Sequence, residues 1–172
     1  MRGGMSHKTQ IKWIVTTAIS VFLADQVSKA IVIATLEPGT PFRSDTFFYF
    51  VHYRNTGLIG GSFSNYPFVT YLAPILATAV LFYIARHLDP NSRWQRLGYG
   101  MLVGGALGNL LDRIRLQSVT DFLQFHFYFI PFDFPWKFYP AFNIADSAIL
   151  VGVSILVFSW SVDVPGNVSS TS

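Results

Sequence analysis

The stretch FNIADSAILVGVSILVFSW, Phe142–Trp160, decides how this chain is read. After its first few residues it is almost wholly apolar, and a bilayer crossing takes about 20 such residues. One carboxylate, Asp146, interrupts it near the start. A charge at the edge of hydrocarbon is costly and persists where something uses it. Asn143 stands three residues earlier and could cap the helix. Asp146 would then occupy the third helical position, where the helix dipole favours an acid. Capping alone is one explanation of Asp146. The remaining carboxylates bear on whether there is another.

The chain around this stretch has a membrane composition. Of its 172 residues, 51% are hydrophobic and 12% charged, with a mean hydropathy of +0.40. Soluble domains carry roughly 25% charged residues. Residues 11–36, 68–88, 97–116 and 142–162 are candidate spans. They predict an all-α membrane protein, a single four-helix domain over 1–172, with outer loops 37–67 and 117–141. The basic, then apolar N-terminal run resembles a signal peptide, but it continues past Lys29 to Leu36 with no small-x-small site, which predicts an uncleaved first span. Arg2, Lys8 and Lys12 lie in the N-terminal tail and at the start of span one, and Arg86, Arg93 and Arg96 surround the turn between spans two and three. Basic residues favour the cytoplasmic side. Both termini are therefore expected inside, and the two longer loops outside.

Composition also excludes chemistries. There is no cysteine, hence no disulfide, thiolate metal site or cysteine nucleophile. His7, His52, His87 and His126 are scattered, no H-E-x-x-H occurs, and no metal site is expected. The GGSFS run around Ser62 is not a G-x-S-x-G elbow. The net charge of +3 is spread over several loops, which suits a lipid surface and not a nucleic acid.

The polar residues inside the spans are the informative ones. Asp25 and Lys29 share a helix face at i, i+4 and read first as a structural ion pair, with a direct catalytic role as the alternative. Pro74 should kink span two. Gly100, Gly104 and Gly108 recur every four residues and would let a neighbouring helix approach closely. Asn109, Asp112 and Arg113 form a polar patch one turn further on. In the first outer loop Phe47, Tyr49, Val51 and Tyr53 alternate, predicting a strand with those four on one face. The second outer loop interleaves aromatic with polar residues, as suits a membrane–water interface. Together these predict a small extracytoplasmic β and aromatic cradle.

Asp121 follows span three and Asp146 opens span four. If those helices are antiparallel neighbours, both carboxylates meet at the outer interface. Two carboxylates in a desolvated site share a proton. One can then act as base toward water while the other donates to a carbonyl oxygen, as in aspartic proteases.

At this point the motifs resemble a family. GGALGNLLDRI (104–114), SVTDF, FNIADS, DQVSK and RNTG occur in the order and character of lipoprotein signal peptidase, signal peptidase II. The resemblance covers nearly the whole chain, from about Asp25 to the end of span four. It implies a four-helix bacterial inner-membrane aspartic endopeptidase without a cofactor, active near the extracytoplasmic face and sensitive to globomycin. Such an enzyme removes signal peptides from diacylglyceryl-modified prolipoproteins, cutting just before the lipidated cysteine. By matching motifs, Asp121 and Asp146 are the catalytic dyad. Asn55, Gly57, Asn109, Arg113, Asn143 and Ala145 line the site, Asp112 orients its neighbours, and Asp25 and Lys29 are structural or close to substrate. The chain departs from the family at NTGLIGGSFS, where Phe63 and Ser64 come late, at Gln117, where glycine is usual, and in a longer stretch between the two aspartates. Residues 55–64 read as a lid hinged at Gly57, Gly60 and Gly61. The competing reading is a non-enzymatic ion-coupled carrier or membrane assembly subunit with Asp25, Lys29, Asp112 and Arg113 as a relay. Against it, the acidic residues gather at one end of the spans.

Overall fold

A computed structural model describes residues 7–39, 47–57, 68–89, 91–135 and 137–162. Its elements run α1 (His7–Thr35), β1 (Phe48–Asn55), α2 (Phe68–Arg86), α3 (Arg93–Leu116), β2 (Val119–Phe125) and α4 (Ile144–Val162). The helices extend beyond or stop short of the apolar runs for local reasons. The Ser92 side chain accepts the Gln95 N–H at 3.3 Å and starts α3 at Arg93, before the apolar run at 97. Phe142 belongs to a β-bridge with Leu123, so α4 begins only after the Asn143 cap. Among the described residues, two helices are long and apolar enough to cross a membrane, over Lys8–Thr35 and Ile144–Ser161. α2 runs 19 residues and contains Pro74, and α3 is diluted by its glycines and polar residues.

α3 is the central helix, because it presents glycines on two faces. A Cβ on Gly100 would lie 2.7 Å from Thr17 Cβ, on Gly104 2.5 Å from Ala18 O, and on Gly108 2.5 Å from Asp25 Oδ2. Contacts that advance together along both helices make α1 and α3 parallel. On the other face, a Cβ on Gly98 would meet Gly152 O at 2.8 Å, and on Gly105 Ala145 O at 2.6 Å. There the contacts advance in opposite senses, so α3 and α4 are antiparallel. The glycine spacing of the first seam was visible in the sequence. The Gly98, Gly105 and Gly152 seam was not.

The outside of the bundle is apolar. Ile11, Val15, Ile19, Leu23, Val27 and Ile31 form an exposed stripe on α1, and Leu150, Val153, Val157 and Phe158 are exposed on α4. The buried set instead includes Asp25, Lys29, Asn109, Asp112, Asp121 and Asn143. Apolar surface of that extent on a chain with a polar interior fits a lipid surround.

β1 and β2 pair antiparallel, with Phe48 opposite Phe125, Tyr53 opposite Asp121 and Asn55 opposite Val119. The register shifts between Phe50 and Tyr53. This bulge corrects the expected alternation. Tyr49, Val51 and His52 are buried, whereas Tyr53 is 43% exposed and Phe47 40% exposed. An inserted residue turns the following side chains to the other face. The buried His52 ring lies 2.9 Å through Nδ1 from Leu36 O and ties the strand to the end of α1. The second outer stretch is also more ordered than a loop. Gln117 takes a left-handed conformation at φ 56° and closes α3 through its N–H to Arg113 O at 3.1 Å, and β2 starts at once. The chain then returns, with bridges His126 to Phe138 and Leu123 to Phe142. The Leu123 N–H donates to Phe142 O at 2.8 Å, so β2 holds the residue that precedes the α4 cap.

Candidate active site

Asp146 lies in the first turn of α4. Its backbone N–H donates to Asn143 Oδ1 at 2.9 Å, and the Asn143 N–H donates to Asp146 Oδ2 at 3.3 Å. This is the reciprocal cap that the Asn-x-x-Asp spacing suggested. Asp121 comes from β2 and is buried. Asn143 Nδ2 donates to Asp121 Oδ1 at 2.8 Å, and Asn55 Nδ2 donates to Asp121 Oδ2 at 2.9 Å. Asn109 Nδ2 donates to Asp146 Oδ1 at 2.8 Å.

Three asparagines from three parts of the fold thus aim amide N–H groups at two carboxylates. Each amide oxygen is engaged separately. Gly57 N–H holds Asn55 Oδ1 at 3.0 Å, Lys29 Nζ holds Asn109 Oδ1 at 2.9 Å, and Asp146 N–H holds Asn143 Oδ1. An amide has one donor end and one acceptor end, so these partners fix which end faces the aspartates. Asn143 also links the halves, donating more weakly to Asn109 Oδ1 at 3.2 Å and Thr120 O at 3.4 Å.

Burial pushes the Asp121 carboxyl up to about 7, and the nearby Asp146 charge pushes the same way. The Asn55 and Asn143 hydrogen bonds and the Lys29 charge oppose that rise. Desolvation and a like charge both disfavour the anion, so the two carboxyls titrate as a coupled pair. One can take a proton while the other gives one.

Below the pair lies a buried ion cluster. Lys29 Nζ is 2.8 Å from Asp25 Oδ2 and 3.2 Å from Asp112 Oδ2. Asp25 is 0% exposed and Lys29 2%. The i, i+4 ion pair of the sequence is present, and Asp112 makes it a triad. Asp25 Oδ1 accepts the Ala145 N–H at 2.9 Å, and Asp112 Oδ2 accepts the Thr120 N–H at 3.0 Å. Arg113 donates through Nη1 to Asn109 O at 3.3 Å and interacts electrostatically with Asp146, Asp121 and Asp112.

Sequence reasoning passed over two members. Gln26 Nε2 donates to Asp25 Oδ2 at 3.1 Å, Gly108 O at 3.2 Å and Asp112 Oδ1 at 3.3 Å. A glutamine inside an apolar run was the available signal. Thr120 is buried and feeds the site through its backbone, for which side-chain chemistry gives no signal. Of the expected lid, Gly57 anchors the Asn55 amide, while Gly60 and Gly61 lie outside the described residues.

A pair of desolvated carboxyls on an apolar helical scaffold has the means for hydrolysis inside a membrane. Comparison with known proteins agrees on the class. The family model described as Signal peptidase (SPase) II matches residues 17–162. Lipoprotein signal peptidase of Bacillus subtilis (strain 168) is 34% identical over 150 residues, covering 85% of this chain and 91% of that protein. The lipoprotein signal peptidase of Shewanella woodyi is 37% identical over 145 residues, covering 81% and 77%. A solved bacterial membrane enzyme superposes with a TM-score of 0.75 at 26% identity, covering 100% of this chain and 99% of that one. The chain belongs to the signal peptidase II family. It is thereby a bacterial membrane peptidase, and the carrier or assembly-subunit reading is not favoured.

Proposed function

We propose that this peptidase is an aspartic endopeptidase with Asp121 and Asp146 as its dyad. Its substrates are diacylglyceryl-modified prolipoproteins, cut just before the lipidated cysteine. The observation that carries the reading is the convergence of both carboxyls, from β2 and α4, under the oriented amides of Asn55, Asn109 and Asn143. The substrate class comes from the family and from the relatives' name, lipoprotein signal peptidase.

The chemistry follows from one shared proton. The ionised carboxylate takes a proton from water, and the water oxygen bonds to the scissile carbonyl carbon. The protonated carboxyl gives its proton to the carbonyl oxygen. As the resulting gem-diol collapses, one of its hydroxyls returns a proton to the carboxylate that had acted as acid, the C–N bond breaks, and the amine leaves with the proton that the base had taken. Arg113 adds a positive charge to a site with several carboxylates. Gly57 and Ala145 act through backbone N–H groups, one on Asn55 and one on Asp25.

All four helices span the cytoplasmic membrane in this reading, with both termini inside. The basic residues of the N-terminal tail and of the α2–α3 turn support that orientation. The dyad then sits at the outer face, beside the aromatic β-cradle. Phe47, Phe125 and Phe127 form contacting ring pairs there, at 5.1 and 5.5 Å between centroids. Such a cradle suits a substrate with lipid on one side and extended peptide on the other.

The test is incubation of the purified protein in lipid with a diacylglyceryl-modified precursor, reading the cleavage site by mass. Cleavage immediately before the modified cysteine, unaffected by EDTA and blocked by globomycin, is expected. Activity lost to EDTA and restored by zinc would reject the aspartic assignment.

A further inference from the structure

We propose that the buried Asp25–Lys29–Asp112 cluster is the positioning device of the dyad, and that Lys29, acting through Asn109, holds Asp146 as the ionised member of the pair. This inference rests on the aspartic-dyad reading above and goes beyond it by assigning the resting proton to Asp121.

The cluster touches both halves of the dyad at equivalent places. Asp25 accepts the N–H of Ala145, the residue before Asp146. Asp112 accepts the N–H of Thr120, the residue before Asp121. Lys29 joins the two carboxylates, at 2.8 Å and 3.2 Å, so the backbones entering the two aspartates are tied to one ammonium group. A cluster that served only to neutralise charge would not need both backbone contacts.

Lys29 also sets a hydrogen-bond direction. An ammonium has donors and no acceptor. It therefore takes the Asn109 oxygen, at 2.9 Å, and a half-turn of that amide would set its NH2 against the charge. Asn109 Nδ2 is left facing Asp146 Oδ1 at 2.8 Å. A donor fixed on a carboxyl oxygen favours the anion. Asp121 also receives two amide donors, but from residues whose oxygens are held by neutral backbone N–H groups. Asp121 lies in a strand, whereas Asp146 lies at a helix N-terminus, which adds to the preference for an anion there. The charged groups around Asp146 are Asp25 and Lys29 from α1, Asp112 and Arg113 from α3, and Asp121 from β2. Among the described residues, Asn109 is the neutral side chain that joins that ammonium directly to Asp146. Asp146 then acts as base toward water, and Asp121 as acid toward the carbonyl oxygen.

The experiment is the pH dependence of kcat/KM on a diacylglyceryl-modified precursor for the wild type, Lys29→Met, Asn109→Ala and Asp146→Asn in lipid nanodiscs, with melting temperature measured alongside. In Asn109→Ala and Lys29→Met the acidic limb should move to higher pH by about one unit, because the anion has lost its fixed donor. kcat should fall by at least about tenfold with KM little changed. A merely structural role would lower the melting temperature and leave the limb where it is. If Lys29→Met does not accumulate, Asn109→Ala, which keeps the ion cluster, decides alone. An Asn109→Ala limb that coincides with the wild type, while Asp146→Asn is inactive, overturns the positioning role and spares the dyad. An active Asp146→Asn overturns the dyad reading itself.

Discussion

Asp121 is a carboxyl whose folded environment favours the neutral form. Its folded value, about 7, lies above its ordinary 3.8, so it contributes stability that is fully present below the ordinary value and lost as pH rises through 7. The unfolding free energy of Asp121→Asn minus that of the wild type should therefore rise between about pH 4 and pH 8, by about 4 kcal/mol. A difference that stays constant over that range would contradict the desolvated site. Asp25 acts through its ion pair, since removing it leaves the buried Lys29 without its closest partner. Asp25→Ala should cost about 3–5 kcal/mol, and adding Lys29→Ala should recover part of that. Thermal unfolding in detergent measures both. A double variant as unstable as the single one, or more so, would mean that the pair is not what Asp25 supports.

The two seams of α3 explain why the helices can come close enough for such contacts. Ala in place of Gly within a helix ordinarily stabilises by about 0.5–1 kcal/mol. At Gly105 the sign should reverse, because the new Cβ would lie 2.6 Å from Ala145 O. Gly105→Ala should lower stability by about 1–3 kcal/mol, and it should also lower turnover, since α4 would carry Asp146 away from Asn109. Unchanged melting temperature and turnover would mean that α4 does not dock on that face. At this scale the sequence was uneven to read. The α4 cap was legible, because Asn143 and Asp146 stand at a spacing with one mechanical meaning. The first glycine seam was legible from its four-residue repeat. The second was not, because Gly98 and Gly105 are two turns apart and meet Gly152 and Ala145 on another helix. β2 was hidden by the aromatic richness of its neighbourhood, and the burial of His52 by a bulge that breaks the two-residue alternation. At the site, the carboxylates and asparagines were legible from their motifs. What stayed hidden was their wiring, which runs through backbone N–H groups of Gly57, Thr120 and Ala145 that any residue but proline could supply.

The molecule as a whole exposes apolar helix faces and buries a polar cluster, which suits a lipid surround. The absence of cysteine makes the orientation simple to test. A single cysteine replacing Arg93 should label only from the cytoplasmic side, and one replacing Asp133 only from the outside. Labelling of both from one side would contradict the four-span arrangement, and labelling of each from the opposite side would invert it. The functional claim converges on the two carboxyls, and it is tested most directly by turnover of a diacylglyceryl-modified precursor by purified Asp121→Asn and Asp146→Asn. An amide can neither activate water as the base nor share the proton, so each variant should lose at least about a hundredfold in kcat, while its helical signal and its reconstitution into lipid match the wild type. Turnover near the wild-type rate in either variant would contradict the dyad.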